Sequence, residues 1–245
     1  MPFLRTLAQG VLRGEVFGHG APSQAELPSL TIYVPTLSAV EPLKIAFLDA
    51  SENKATFLPR IRVLGDVDPL DLLAAYASPS DTDPSVLALF EKATATPPAV
   101  PDLERQFWLA AFVLDASKKL QSTNLAPGER LFAPVTAATA FSIAGRIAAS
   151  IDEVQKEGVD LRRLEYLDGD RSAGHEQISK QLLRETLRLW RGHREKRGTT
   201  DREARRNRLM EIERAFIEAS SAPVIVAGST GSVAATFDLM KCVAG

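Results

Sequence analysis

The sequence predicts an α/β fold: a parallel sheet, incomplete, interrupted by a large all-helical insertion. Three observations lead there. Val224–Ala227 is a short apolar, β-branched run without polar alternation, the pattern of a strand covered on both faces. A glycine-bearing turn and a helical repeat follow it. Leu30–Val34 is a second such run near the start. Between the early and late strands, apolar residues recur at helical spacing. The expected division is therefore 1–67 as the first part of the α/β domain, 68–221 as the helical insertion, and 222–245 as a late strand, turn and helix.

In chain order, Phe3, Leu4, Leu7, Val11 and Leu12 predict an amphipathic helix from Pro2 to about Arg13, with Pro2 suited to its first turn. Gly14–Pro28 reads as loop. The strand Leu30–Val34 ends at Pro35. Thr36 or Ser38 can cap the next helix, which carries Val40, Leu43, Ile45, Phe47 and Leu48; Pro42 must fall within its first turn, or the helix begins later or kinks there. Phe57–Leu64 is a second strand candidate, broken by Pro59.

From Asp68 the pattern turns helical. Asp68–Tyr76 and Pro84–Lys92 are short helices separated by the loop Ser78–Asp83. Pro101 opens a strong helix to about Leu120, with Asp102 and Glu104 in its first turn and an apolar face of Leu103, Phe107, Ala110, Ala111 and Leu114. Gln121–Pro134 is a loop. Thr136–Glu157 is a long helix with Ala137, Ala140, Ala144 and Ala148 on one side, which invites close approach of a partner helix. Leu161–Leu167 is short. His175–His193 is helical, with Trp190 toward the core. A last helix of the insertion runs from Thr200 or Asp201 to about Ser220.

Bulk composition narrows the classes. The chain has 245 residues, 45% hydrophobic and 24% charged, with a formal net charge of -2, so it carries no global bias toward polyanions. Its single cysteine, Cys242, excludes an intrachain disulfide and a cysteine-ligated cluster. That usage fits a reducing cytosol, and a cytoplasmic location is expected. No apolar run reaches membrane-span length, so no membrane partner is expected. The opening residues do not form a secretory signal.

The late turn is the first candidate site. Gly228, Ser229, Gly231 and Ser232 follow the apolar run, and Ser232 is placed to cap a helix from about Val233 to Val243. This geometry presents free amides at the carboxyl edge of a sheet. The phosphate-cradling G-x-x-x-x-G-K-[ST] and the dinucleotide G-x-G-x-x-G are both absent. No acidic residue follows the strand to hold magnesium. An ordinary strand-to-helix turn is the first reading and a nucleotide site the second. Ser229 does not sit in a G-x-S-x-G elbow.

The second candidate is basic. Arg184, Arg188 and Arg191 share a helix face, and Arg205 and Arg206 follow on the next helix. Interspersed acids favour a solvated face with intrahelical ion pairs, while a phosphate-contacting surface is the sharper alternative. His19, His175 and His193 lack metal-ligand spacing. Asp152 and Glu153, adjacent on a helix, are expected at the surface.

Several blocks resemble the AddB family of helicase–nuclease subunits, in its alphaproteobacterial form: Pro2–Ala8, Thr31–Thr36, Leu58–Asp68, Ile151–Asp160, Ala204–Asn207 and Val226–Ser232. Their order and spacing match from end to end. The resemblance implies a RecA-like, superfamily 1 helicase-like sheet. It also implies a role in double-strand break repair, with double-stranded DNA ends or single-stranded DNA as substrate and an AddA-like motor subunit as partner. Relatives begin with a further strand and glycine loop and end in a nuclease domain, so the chain looks truncated at both ends. The acidic pair expected after Val226 is missing, and no Walker lysine precedes it. The resemblance thus implies a degenerate module with no cofactor of its own. A residual ATP-binding domain and a free-standing interaction domain are the alternatives.

Overall fold

The computed structural model describes residues 2–17, 20–52, 54–76, 84–123, 135–165, 174–220 and 222–244. His19, the loop Ser78–Asp83, residues 124–134 and residues 166 and 167 lie outside them. The chain forms two compact units, Met1–Ala95 with Arg208–Gly245, and Thr96–Asn207.

The first unit is built on three parallel strands: β1 (Thr31–Val34), β2 (Arg60–Val63) and β3 (Val224–Val226), in the order β2-β1-β3. Thr31 pairs with Arg60 on one side and Val224 on the other. Because side chains alternate along a strand, β1 feeds two cores. Ile32 and Val34 pack with Leu4, Ala8 and Val11 of α1 (Pro2–Arg13) and Leu43 and Phe47 of α2 (Val40–Ala50). On the other face, Tyr33 packs among residues of four helices. Leu72 comes from α3 (Pro69–Tyr76), Ala93 from α4 (Pro84–Thr94), Phe216 from α9 (Arg202–Ala219) and Leu239 from α10 (Ala234–Ala244). Each large side chain so buried contributes about 1.5–3 kcal/mol. The α3 and α4 helices, which the sequence assigns to the insertion, therefore pack with the sheet.

β1 is the centre of the sheet. All four β1 residues are buried, whereas β3 is an edge strand and every one of its residues is half-buried. Both faces of β3 are nonetheless packed, Ile225 against the first core and Val224 and Val226 against the second, as its unbroken apolar run predicts. Pro42 does fall in the first turn of α2, but neither Thr36 nor Ser38 caps it. Their hydroxyls bond each other at 2.9 Å instead.

The second unit packs α5 (Asp102–Thr123), α6 (Ala137–Lys156), the short α7 (Arg162–Glu165) and α8 (Gly174–Arg197). Thr136 caps α6 by accepting from the Thr139 amide at 3.2 Å. Ala140, Ala144 and Ala148 are buried and let α5 approach closely, while Leu187 and Trp190 of α8 complete the core. The α5 face differs from expectation. Leu103 and Phe107 are 63% and 59% exposed, and Leu109, Val113, Ala116 and Arg105 point inward. A charged side chain can take an inward position because acidic partners wait there, as described below.

Among the described residues no helix is long and apolar enough to cross a membrane.

Candidate functional site

The strand order locates the first candidate. β1 leads through α2 to β2 on one side, while β3 lies on the other, so the connections diverge between the carboxyl ends of β1 and β3. Ligands of open α/β sheets bind at such a switch point. The turn after β3 lies there. Gly228 adopts φ 74°, and a Cβ on it would sit 3.8 Å from Phe3 Cε1 and from Pro35 Cδ. The first turn of α1 and the residue after β1 thus border the turn. Gly231 adopts φ 66°, and a Cβ there would meet Met240 Sδ at 3.2 Å and Phe237 Cδ2 at 3.3 Å. Glycine is required at both places, for backbone hand and, at Gly231, for space.

The turn's polar groups are hydroxyls and amides. The Gly231 amide donates to Ser229 Oγ at 3.3 Å, so one of the amides a phosphate would use is already engaged. Ser232 is exposed and does not cap the helix as expected. The Val233 carbonyl accepts the Phe237 amide at 2.9 Å, so α10 starts one residue later. Among the described residues no group of three His, Cys, Asp or Glu side chains is placed to hold a metal ion.

The arginines divide by exposure. Arg184 and Arg188 are exposed on α8, and Arg191 is half-buried. Arg188 Nε donates to Glu185 at 3.0 Å, and Glu185 also accepts from Lys119 at 2.9 Å. The Lys119 hydrogen bond holds the Glu185 carboxyl below its usual range. Arg205 and Arg206 are half-buried on α9; Arg206 pairs with Glu203 at 3.5 Å. The interspersed acids therefore meet these arginines in part, and Arg184 and Arg188 are the ones exposed to solvent.

Two buried polar centres went unanticipated. In the sheet unit, the Tyr33 hydroxyl donates to Glu213 Oε1 at 2.6 Å, Arg62 Nη1 lies 2.6 Å from the same oxygen, and the Tyr33 and Tyr76 hydroxyls are 3.1 Å apart. Burial raises the pKa of Tyr33, of Tyr76 and of Glu213, with Arg62 opposing the shift at Glu213. Both phenols therefore stay protonated and can donate.

In the helical unit, Asp201 is fully buried. It accepts from Trp190 Nε1 and Gln155 Nε2 at 3.0 Å each, and Arg194 Nη1 lies at 3.0 Å. Arg105 forms a two-pronged pair with Asp152 at 2.6 and 2.8 Å. Asp152 is thus a half-buried structural partner, not the surface residue expected. His193 packs against Trp108 with the rings tilted by 38° and their centroids 4.2 Å apart, and burial and then Arg197 lower its pKa. Neither centre has a local sequence pattern: Arg105 follows the exposed Leu103, and Tyr33 and Arg62 lie in short strands.

No family model, curated protein or solved structure matches the chain.

Proposed function

We propose that the chain is a degenerate, RecA-like module of an AddB-type double-strand break repair subunit, supporting DNA processing beside an AddA-like motor. The observation that carries the reading is the turn Gly228–Ser232. It occupies the switch point of a parallel sheet, where a nucleotide would bind, yet it offers only glycine, serine and threonine. The ordered sequence blocks supply the family. The engaged Gly231 amide supports loss of phosphate binding over its retention. Exposed Arg184 and Arg188 supply a surface on which phosphates can be met. The module acts in the cytoplasm, where the chromosome's broken ends are.

Equilibrium titration with fluorescent ATP and magnesium tests the first half. The reading expects no saturable binding up to about 1 mM, an affinity of about −4 kcal/mol. Saturable micromolar binding that is lost in Gly231→Val would instead support a residual ATP-binding domain. Salt-dependent binding to a duplex end tests the second half, and a chain without it would be a free-standing interaction domain.

A further inference from the structure

One titratable side chain of the helical unit sits where its charged form has no partner. His193 lies on α8 one turn after Trp190, and Trp108 and Phe112, one turn apart on α5, complete a box of aromatic rings around it. The Trp108 ring centroid is 4.2 Å from that of His193, Phe112 meets it edge-on at 5.6 Å, and Trp190 lies nearly parallel at 5.9 Å. Nε2 is buried and has no hydrogen-bond partner among the described residues. The residue as a whole is half-buried, so the ring lies within reach of solvent protons.

Protonation makes both ring nitrogens donors. In this box the Nε2 proton would find no oxygen or nitrogen to accept it, and a ring face is a weak acceptor. A cation gains some attraction from an aromatic face, but a buried donor without an acceptor costs more. On α8 itself Arg197 and Lys196 oppose a further positive charge, and on α5 Glu104 favours it. Glu104 is already engaged by Arg197 at 3.6 Å. Burial first, and then Arg197, hold the imidazole below its ordinary pKa of 6.5. The neutral ring thus belongs in the box and the charged ring in water.

Release of the ring has a local consequence. Trp108 loses its ring partner on α8, and the last turn of α8 loses an apolar contact with α5. Trp190 and Arg194 remain tied to Asp201, which confines the loosening to the turn ending at Arg197.

We propose that His193 is an acid-operated catch between α5 and α8: neutral, it seats the last turn of α8 on the aromatic face of α5, and on taking up a proton it swings out and frees that turn. The catch is independent of the DNA-processing reading.

The test follows the whole chain from about pH 8 to about pH 5, the range in which histidine titrates. Linkage fixes the sign: a histidine whose folded-state pKa is depressed stabilises the closed form above the unfolded value, and that contribution is lost as pH falls through the folded one. Proton NMR of the His193 ring should give a midpoint below that of the same ring in urea. Exchange of the Lys196 and Arg197 amides, corrected for the intrinsic effect of pH, should speed up about tenfold for each pH unit between those two midpoints, while the Ile147 and Ile151 amides should not respond. In chain labelled with 5-fluorotryptophan, the Trp108 signal should move toward its unfolded position with the same midpoint. His193→Phe keeps a ring in the box with no proton to gain, and should abolish both transitions. Glu104→Gln removes the favouring acid and should lower the His193 midpoint, a readout that holds even if His193→Phe fails to fold. A midpoint at or above that in urea overturns the proposal. So does an acid transition at Lys196 and Arg197 that persists in His193→Phe, or a ring that titrates while those amides and Trp108 stay unchanged.

Discussion

The Tyr33 hydroxyl, on the central strand, donates to the Glu213 carboxylate at 2.6 Å across 180 residues of sequence. Arg62 meets the same oxygen from β2, so one buried acid joins β1, β2 and α9 within the sheet unit. Glu213→Ala leaves the Arg62 guanidinium buried without its counter-ion, and unfolding in urea should show a loss of about 3–5 kcal/mol. Glu213→Gln keeps the shape and an acceptor for Tyr33, and should cost less than half as much.

The same residue sets a pH dependence. Burial raises the Glu213 pKa above its ordinary 4.5. A carboxyl with a raised folded-state pKa contributes stability that is fully present below the unfolded value and lost as pH rises through the folded one. The unfolding free energy of the unaltered chain should therefore fall, relative to Glu213→Gln, as pH rises upward from about 4.5. A difference between the two that is flat across that range would contradict the assignment.

What the sequence reveals here is set by range. Elements that rest on local periodicity are legible: α1, the Ala140–Ala144–Ala148 stripe, the burial of Trp190, and the presence of β1 and β3. The identity of the central strand is not, because β1 and β3 have similar apolar runs and only pairing with β2 makes β1 central. The buried acids are less legible still. Asp152 and Asp201 look like helix-terminal surface charges until Arg105, Trp190 and Arg194 arrive from elsewhere in the chain. Even α5 is mis-phased by periodicity alone, since Arg105 takes an inward position while Leu103 and Phe107 stay outside. The turn at Gly228–Ser232 was visible as a turn, but its position at the switch point required the strand order.

Asp201 should be the helical unit's most sensitive polar residue. Asp201→Ala strands Arg194 beside the unpaired Trp190 and Gln155 donors, and should cost about 3–5 kcal/mol. Asp201→Asn, which keeps the acceptor for Trp190, should cost less. Tryptophan emission during urea unfolding reads both, because Trp190 is bonded directly to the substituted group.

The glycines offer a paired contrast. Gly231→Ala forces a left-handed backbone on a residue with a Cβ and presses that carbon against Phe237 and Met240, so it should destabilise by about 1–3 kcal/mol. Gly192 lies within α8 with open space around its added Cβ, and Gly192→Ala should stabilise by about 0.5–1 kcal/mol. Thermal unfolding of the two variants should shift in opposite directions.

Arg184→Glu with Arg188→Glu tests the proposed phosphate surface. Both residues are exposed, so the double variant should keep its stability to within about 1 kcal/mol. Its binding to a duplex end should weaken, and the slope of log affinity against log salt should fall by about 2. An unchanged slope would move the DNA surface elsewhere.

The central claim is that this chain is an engine-less module working beside a separate motor. Size-exclusion chromatography after co-expression of this chain with an AddA-type subunit tests it most directly. The account predicts one-to-one co-elution that persists at high salt. Elution of the two proteins as separate peaks would contradict it.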